Sequence, residues 1–402
     1  MSEMISRIAS GRLAPRVNTQ PDSSLLLRRH ALLLVILALA LFGVVMITSS
    51  SMAFASQNYG SPFYFAKRQL FFLILGLGLG LGLYQLPLAV WEKYGPHMII
   101  MSMFFLLLVL IPGIGKEVNG SRRWIDLGLF TVQVSESAKL FIIVYLAGYL
   151  VRRGELVQTT FGGFARPLGL ICAASVLLLL EPDFGAAVVI ICTALLMLYV
   201  AGVRFTQFAA LIGVLSVLGT LLIVVSPYRM RRFASFLDPF SDPFNSGFQL
   251  TQSLIAIGSG SISGVGLGSS VQKLFYLPEA HTDFLFAVLC EELGLIGALV
   301  LICVYSYIVW RSFRLARIAD EQGNRFAGFI AMGIGGWIGL QAFINIGVNM
   351  GMLPTKGITL PFMSYGGSSA LVFAASFALL LRVEAETRAF AIQRLKPRRS
   401  SK

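Results

Sequence analysis

The residues of this chain best suited to chemistry are carboxylates and cations set among apolar neighbours. Asp283 stands out. It follows the segment 276–282, Tyr-Leu-Pro-Glu-Ala-His-Thr, and opens a long apolar run. Pro278 closes the preceding loop, and Thr282 is expected to cap a helix that has Asp283 in its first turn. The positive end of the helix dipole would favour the carboxylate there, and a carboxylate so placed can take the proton of an alcohol. An ordinary helix-start aspartate satisfies the same position, so the assignment depends on its surroundings. Glu279 and His281 flank it; a lone histidine without further ligands makes a weak case for a metal. Glu291 and Glu292 follow about two turns deeper, roughly 12 Å along a helix axis. Adjacent acids at that depth are expected to hold a proton or metal, or to hydrogen-bond to neighbouring helices, rather than to face lipid.

A second constellation is Glu136 and Lys139. Their spacing of three puts them on one helical face, where they can pair and reduce the cost of burial. Such a pair either locks helices together or forms the wall of a charged cavity. The Gly-Ser stretch 258–270 lacks the Gly-Lys-Ser/Thr ending of a phosphate-binding loop and excludes a nucleotide site of that type. It is expected to be a flexible or closely packed loop. The four cysteines, Cys172, Cys192, Cys290 and Cys303, all lie in apolar stretches without metal-ligand spacing and are expected to be small buried hydrophobes.

The elements that must position these groups are membrane spans. The chain has 402 residues, 56% of them hydrophobic and only 13% charged, where a soluble domain keeps roughly a quarter charged. The fold class is therefore an all-α integral membrane protein. About ten stretches approach the roughly 20 residues that cross a bilayer. They are expected near 30–50, 69–87, 97–111, 134–151, 167–180, 184–203, 205–225, 283–310, 326–350 and 360–382. A large extracytoplasmic loop, about 226–282, separates the seventh from the eighth. Residues 1–29 form an N-terminal tail, 30–384 the membrane domain and 385–402 a basic tail. Lys and Arg favour the side of the two termini by about two to one, which puts both termini in the cytoplasm. With five arginines before a full-length first span, that span is expected to stay as an anchor rather than be cleaved. In the second span Gly76, Gly78, Gly80 and Gly82 make two overlapping small-xxx-small pairs, expected to allow close helix packing.

The net charge of +13 sits at segment ends. It is assigned to orientation and to anionic membrane lipids, not to nucleic acid. Ten cations nevertheless fall on the outer side, among them Arg122, Arg123, Arg229, Arg231, Arg232, Lys273 and Lys356. They run against the usual bias, as an outer anion site would require; anchoring to headgroups is the plainer account.

Four segments together resemble one family. They are 271–284 continued by Glu291-Glu292-Leu-Gly294; 353–369, which includes Ser364 and Ser368; 119–125, Asn-Gly-Ser-Arg-Arg-Trp-Ile; and 181–185, Glu-Pro-Asp-Phe-Gly. Their order and the ten-span layout are similar to the SEDS glycosyltransferases (shape, elongation, division and sporulation), and closer to the division branch, FtsW, than to the elongation branch, RodA. One departure is Val134, where the family usually has Pro; it bears on local helix geometry, because Glu136 and Lys139 are kept. The resemblance implies polymerisation of lipid II outside the bacterial inner membrane at the division septum. The acceptor sugar 4-hydroxyl attacks the donor anomeric carbon, and undecaprenyl pyrophosphate leaves. It implies Asp283 as the catalytic carboxylate. Arg122, Arg123, Lys273 and Lys356, with Ser364 and Ser368, then become candidates for the pyrophosphate, supported by Glu136, Lys139, Glu279, His281, Glu291 and Glu292. A divalent cation, Mg or Mn, is a candidate to share that role. The implied partners are a class B penicillin-binding protein of the FtsI type and the FtsQ, FtsL and FtsB division proteins. A lipid II flippase and a non-catalytic division scaffold are the alternatives; neither explains a carboxylate and several cations converging on the outer face.

Overall fold

The computed structural model describes residues 30–395 except 119, 120, 127, 129, 244, 246 and 356. Lys356 and the N-terminal tail therefore lie outside the described residues. Among the described residues three helices come first: α1 (Ala31–Tyr59), α2 (Tyr64–Gln85) and α3 (Leu88–Leu110). A small antiparallel meander follows, β1 (Gly115–Val118), β2 (Ser121–Asp126) and β3 (Thr131–Gln133), in the order β1-β2-β3. Then come α4 (Val134–Thr159), α5 (Phe161–Leu180), α6 (Phe184–Val200) and α7 (Phe205–Val224). The stretch before the next span holds two shorter helices, α8 (Pro227–Leu237) and α9 (Phe248–Ser259). The last described elements are α10 (Leu285–Glu321), α11 (Arg325–Asn349) and α12 (Gly367–Leu395).

Among the described residues nine helices are long and apolar enough to cross a membrane, and α6, at 17 residues, is a shorter apolar helix at the sixth expected position. The ten expected spans thus each correspond to a helix. Most helices overrun the expected limits. α3 starts at Leu88 and passes through Pro96, and α12 continues to Leu395, through part of the stretch read as a tail. The meander lies between α3 and α4, where no strand was expected. α4 starts at Val134 despite the missing proline; valine fills the first helical position with an N–H that proline would lack.

The bundle is centred on α4, of whose most apolar window 78% is buried, whereas the corresponding figure for α7 is 6%. Polar locks hold the interior. Lys139 Nζ lies 2.7 Å from Glu136 Oε1, donates to Gln341 Oε1 at 2.9 Å and stands over the Trp337 ring. The expected pair therefore exists, and it ties α4 to α11. At the other end of the bundle Arg311 reaches Glu384 at 2.6 Å, joining α10 to α12. Gly76 and Gly80 face Ala374 and Ala378 of α12 closely, while Gly78 and Gly82 have nothing within 4 Å of an added Cβ. Only one of the two expected glycine pairs packs. The cysteines also differ from expectation: Cys290 is buried, Cys172 and Cys192 are half-buried, and Cys303 is exposed.

α10 is broken at Gly294, whose φ of 65° and ψ of −163° are not helical. A break inside a membrane frees backbone groups that lipid cannot satisfy. The Gly-Ser loop satisfies them: Leu295 and Ile296 N–H donate to the carbonyls of Ser261 and Ile262, at 3.0 and 3.2 Å. Val265 and Gly266 N–H donate back to the carbonyls of Glu291 and Glu292, at 2.9 and 3.0 Å. The loop is closely packed. A Cβ on Gly264 would lie 2.1 Å from the Glu292 carbonyl oxygen.

Candidate functional site

One end of the bundle gathers the meander, the α5–α6 turn, the approach to α10 and the α11–α12 connection. Asp283 sits at their junction, half-buried. It lies two residues before α10 rather than in its first turn, and the cap position belongs to Phe284, which makes no side-chain cap bond. Thr282 does not cap the helix. Its hydroxyl donates to Glu279 Oε2 at 2.6 Å and lies 3.1 Å from the Glu279 carbonyl oxygen.

Two amides hold Asp283 instead. Asn345 and Asn349 Nδ2, one turn apart on α11, donate to the Asp283 carbonyl oxygen at 2.8 and 3.0 Å. Asn345 Nδ2 also donates to the Ile358 carbonyl oxygen at 2.6 Å, and Asn349 Oδ1 accepts from Ala287 N–H at 3.1 Å. These side chains join the turn before α10 to the α11–α12 connection. There the Asp283 carboxylate lies against Gly357, where an added Cβ would be 2.7 Å from Oδ2. A side chain at that point would push the carboxylate aside.

Burial first, and then the nearby Glu279 carboxylate, push the Asp283 carboxyl up from its ordinary 3.8 to about 7; Arg123 and Arg232 act in the opposite direction and Asp183 adds to the rise. This corrects the expectation that the helix dipole keeps the group ionised. Arg123 projects from β2 and is the best placed of the nominated cations, 3.9 Å from Asp183 Oδ1. Asp183 caps α6 by accepting from Ala186 N–H at 3.1 Å, and it accepts from Ser135 Oγ at 2.8 Å and Gln133 Nε2 at 3.3 Å. Beside it Glu181 is fully buried, and among the described residues neither of its carboxyl oxygens has a hydrogen-bond partner. Its carboxyl is pushed up to about 8 by burial and by Asp183, against the pull of Arg123.

The other nominated residues are placed differently. Arg122 is on the exposed face of the meander, 3.1 Å from Glu117. Lys273 points inward: its ammonium lies 2.7 Å from Glu292 Oε1 and 3.0 Å from Ser49 Oγ. Ser49 Oγ in turn donates to Glu292 at 2.6 Å. Glu291 accepts from Val271 N–H at 2.9 Å and from Ser270 Oγ. Both glutamates thus take the third expected role, hydrogen-bonding to neighbouring elements. Ser364 Oγ accepts from Leu360 N–H at 2.9 Å, and Ser368 Oγ accepts from Gln133 N–H at 3.2 Å, joining α12 to β3. His281 is packed among Phe54, Phe65 and Tyr365, and burial lowers its basicity. Among the described residues no group of three or more His, Cys, Asp or Glu side chains is placed to hold a metal ion.

Sequence reading missed Asp183 as a member of the site, although it quoted the segment, and missed Glu181, Asn345 and Asn349. The signal for the asparagines was present: two amides spaced by four in an apolar span are costly unless they face a partner.

Known proteins show the family to which this sequence and fold belong. The model of the FtsW/RodA/SpoVE cell cycle proteins matches residues 29–389. A probable peptidoglycan glycosyltransferase FtsW of Thioalkalivibrio sulfidiphilus is 56% identical over 356 residues, 89% of each chain. Its counterpart in Legionella pneumophila is 51% identical over 353 residues, 88% of this chain and 90% of that one. Among solved structures, a chain from a peptidoglycan synthase complex that coordinates polymerisation and crosslinking matches with a TM-score of 0.73 and 28% identity, covering 89% of this chain and 97% of that one. The rod shape determining protein RodA of Thermus thermophilus matches with a TM-score of 0.66 and 27% identity, over 89% and 96%. By the family match over nearly all of its length, and by a bundle shared with RodA, this chain belongs to the FtsW/RodA/SpoVE family of cell cycle proteins.

Proposed function

We propose that this protein is a peptidoglycan glycosyltransferase that polymerises lipid II at the division septum, with Asp283 as the general base. The observation that carries the reading is the setting of Asp283: its backbone carbonyl is held by two buried amides, its carboxylate lies against Gly357, and the charge of Arg123 acts on it. A base whose pKa is about 7 is matched to proton abstraction near neutral pH. It takes the proton of the acceptor sugar 4-hydroxyl as the oxygen attacks the donor anomeric carbon. The bond to undecaprenyl pyrophosphate breaks, and Arg123 offsets the charge of the leaving group. Lys356 is a candidate for the same task. Lys273 and Arg122, each already paired with a glutamate, act in holding the site's loops. A divalent cation, Mg or Mn, would be held chiefly by the pyrophosphate, because Mg²⁺ is commonly bound through one or two carboxylates and substrate phosphates.

The reading places the protein in the bacterial inner membrane with both termini in the cytoplasm and the 226–282 segment outside. A class B penicillin-binding protein would cross-link the strands, and the FtsQ, FtsL and FtsB division proteins would complete the assembly. The solved synthase complex supports the first of these partners. The test is polymerisation of purified lipid II by the full chain together with its penicillin-binding protein, comparing the parent with Asp283→Asn. Losing a general base costs about 10²–10⁴ in rate. Glycan strands made by the folded variant at the parental rate would eliminate Asp283 and move attention to Glu279. Movement of labelled lipid II without strands would show a flippase, and neither activity would leave a scaffold.

A further inference from the structure

Arg232 of the amphipathic helix α8 reaches the wall of the site. The segment 227–237 reads Pro-Tyr-Arg-Met-Arg-Arg-Phe-Ala-Ser-Phe-Leu, with cations and aromatics interleaved. It follows α7, the helix least enclosed by the bundle. Arg231 is exposed; Arg232, next to it, is half-buried. Its guanidinium donates to the Thr355 carbonyl oxygen at 3.2 Å. Thr355 is buried, and it lies two residues before Gly357, against which Asp283 packs. α8 is thereby docked on the strip of chain that forms one wall of the site. The charged groups acting on Asp283 among the described residues come from four elements: Glu279 from its own turn, Arg123 from β2, Asp183 from the α5–α6 turn, and Arg232 from α8. Arg123 is already drawn toward Asp183, 3.9 Å away. A pyrophosphate leaving group carries several negative charges, more than one arginine shared with an aspartate can offset. A planar guanidinium gives paired hydrogen bonds to phosphate oxygens while keeping a donor for a carbonyl.

We propose that Arg232 is a second cation of the donor-pyrophosphate site, carried by α8 and braced on Thr355 so that it and Arg123 act on the leaving group from two different elements. The proposal rests on the lipid II reading and adds a residue to it. On this account α8 completes the site when it docks, and the length of chain between α7 and α10 contributes to binding as well as to connection.

Two measurements test it. The first uses the full chain with its penicillin-binding protein and follows the polymerisation rate against lipid II concentration for Arg232→Gln and Arg232→Lys. Losing a charge-assisted hydrogen bond to phosphate should raise KM for Arg232→Gln about tenfold to a hundredfold. Lysine should recover most of that loss. Inhibition by added inorganic pyrophosphate should weaken in the glutamine variant by a similar factor. An unchanged KM and unchanged pyrophosphate inhibition, whatever happens to kcat, would overturn the proposal and leave Arg232 as a brace for Thr355. The second measurement is made on the parent protein and does not depend on a variant folding. Phenylglyoxal modification of Arg232, read by mass spectrometry with the neighbouring Arg231 as reference, should slow on adding inorganic pyrophosphate. Equal rates at Arg232 with and without pyrophosphate would count against the proposal while leaving the polymerase reading intact, because no catalysis is involved.

Discussion

Replacing Asp283 with asparagine should remove activity and, at neutral pH, make the protein more stable. The carboxyl is displaced from 3.8 to about 7, chiefly by burial. The folded value lies above the unfolded one, so the folded protein holds this proton more tightly than the unfolded chain does. Stability therefore declines as pH rises from about 4 to about 7, and above that range the full cost of burying the charge is present. About three units at 1.36 kcal/mol each set an upper figure of about 4 kcal/mol. Asparagine carries no such charge. The variant should therefore exceed the parent in stability by up to that amount at pH 8, by less at pH 6, and by nothing near pH 4. Denaturation of the detergent-solubilised protein across this range measures it. The same group sets the pH dependence of the parent's kcat/KM. Only about a tenth of Asp283 is ionised one unit below its pKa, so activity should fall toward pH 6 and level off above pH 8. Glu279→Gln removes a charge that raises the Asp283 value, and it should move the acidic limb to lower pH. An asparagine variant less stable than the parent at pH 8, with a limb unmoved by Glu279→Gln, would refute the reasoning.

Three further outcomes are expected. Lys139→Met strands the buried Glu136, which typically costs about 3–5 kcal/mol; expression or activity should fall and recover in part when Glu136→Gln is added, and equal loss in single and double variants that fold normally would point to direct roles with substrate. Gly294→Ala puts a Cβ 2.4 Å from Gly264 N at a φ of 65°, so the α10 break and its loop must shift; thermal stability should drop by more than the roughly 1 kcal/mol that ordinary exchanges cause, whereas Gly78→Ala, with open space around it, should be silent. A reporter that needs export should be active when fused near Ser241 and inactive after Arg399, and a cytoplasmic signal at Ser241 would invalidate the ten-span orientation.

The spans were legible because lipid demands uninterrupted apolar length, and length survives any error in register. The Glu136–Lys139 pair was legible for a related reason: spacing of three on one helix fixes two side chains without help from the rest of the fold. What was not legible depends on elements distant in sequence. Lys273 reads as an outer cation, yet its ammonium is committed to Glu292 on α10 and Ser49 on α1, and nothing local announces either partner. The dipole argument for Asp283 failed because the helix begins two residues later than the Thr-Asp pair suggests. Its electrostatics are then set by burial against Gly357 and by a neighbouring acid. The meander escaped notice because its strands are 4, 6 and 3 residues long, too short for a period of two to stand out.

The way Asp283 is held bears on how such a site can work at the edge of a membrane. The turn that carries it belongs to no helix or strand, so its backbone carbonyls need partners from elsewhere. A cation could supply them, but a permanent charge beside the base would depress its pKa and weaken it as a proton acceptor at neutral pH. Asn345 and Asn349 supply the same hydrogen bonds without net charge. They also bind the Ile358 carbonyl and the first turn of α10, so one helix fixes both walls of the site. The cations come from other elements, Arg123 from the meander and Arg232 from α8, where they are paired with Asp183 and the Thr355 carbonyl. Converting Asn345 to Lys would test that division of labour. It could still donate to a carbonyl, but it should pull the acidic limb of the pH profile below the parental value of about 7. Asn345→Asp should push the limb upward through like-charge repulsion. If neither variant moved the limb while both remained folded and active, the neutrality of the amides would be incidental and the base would be tuned by burial alone.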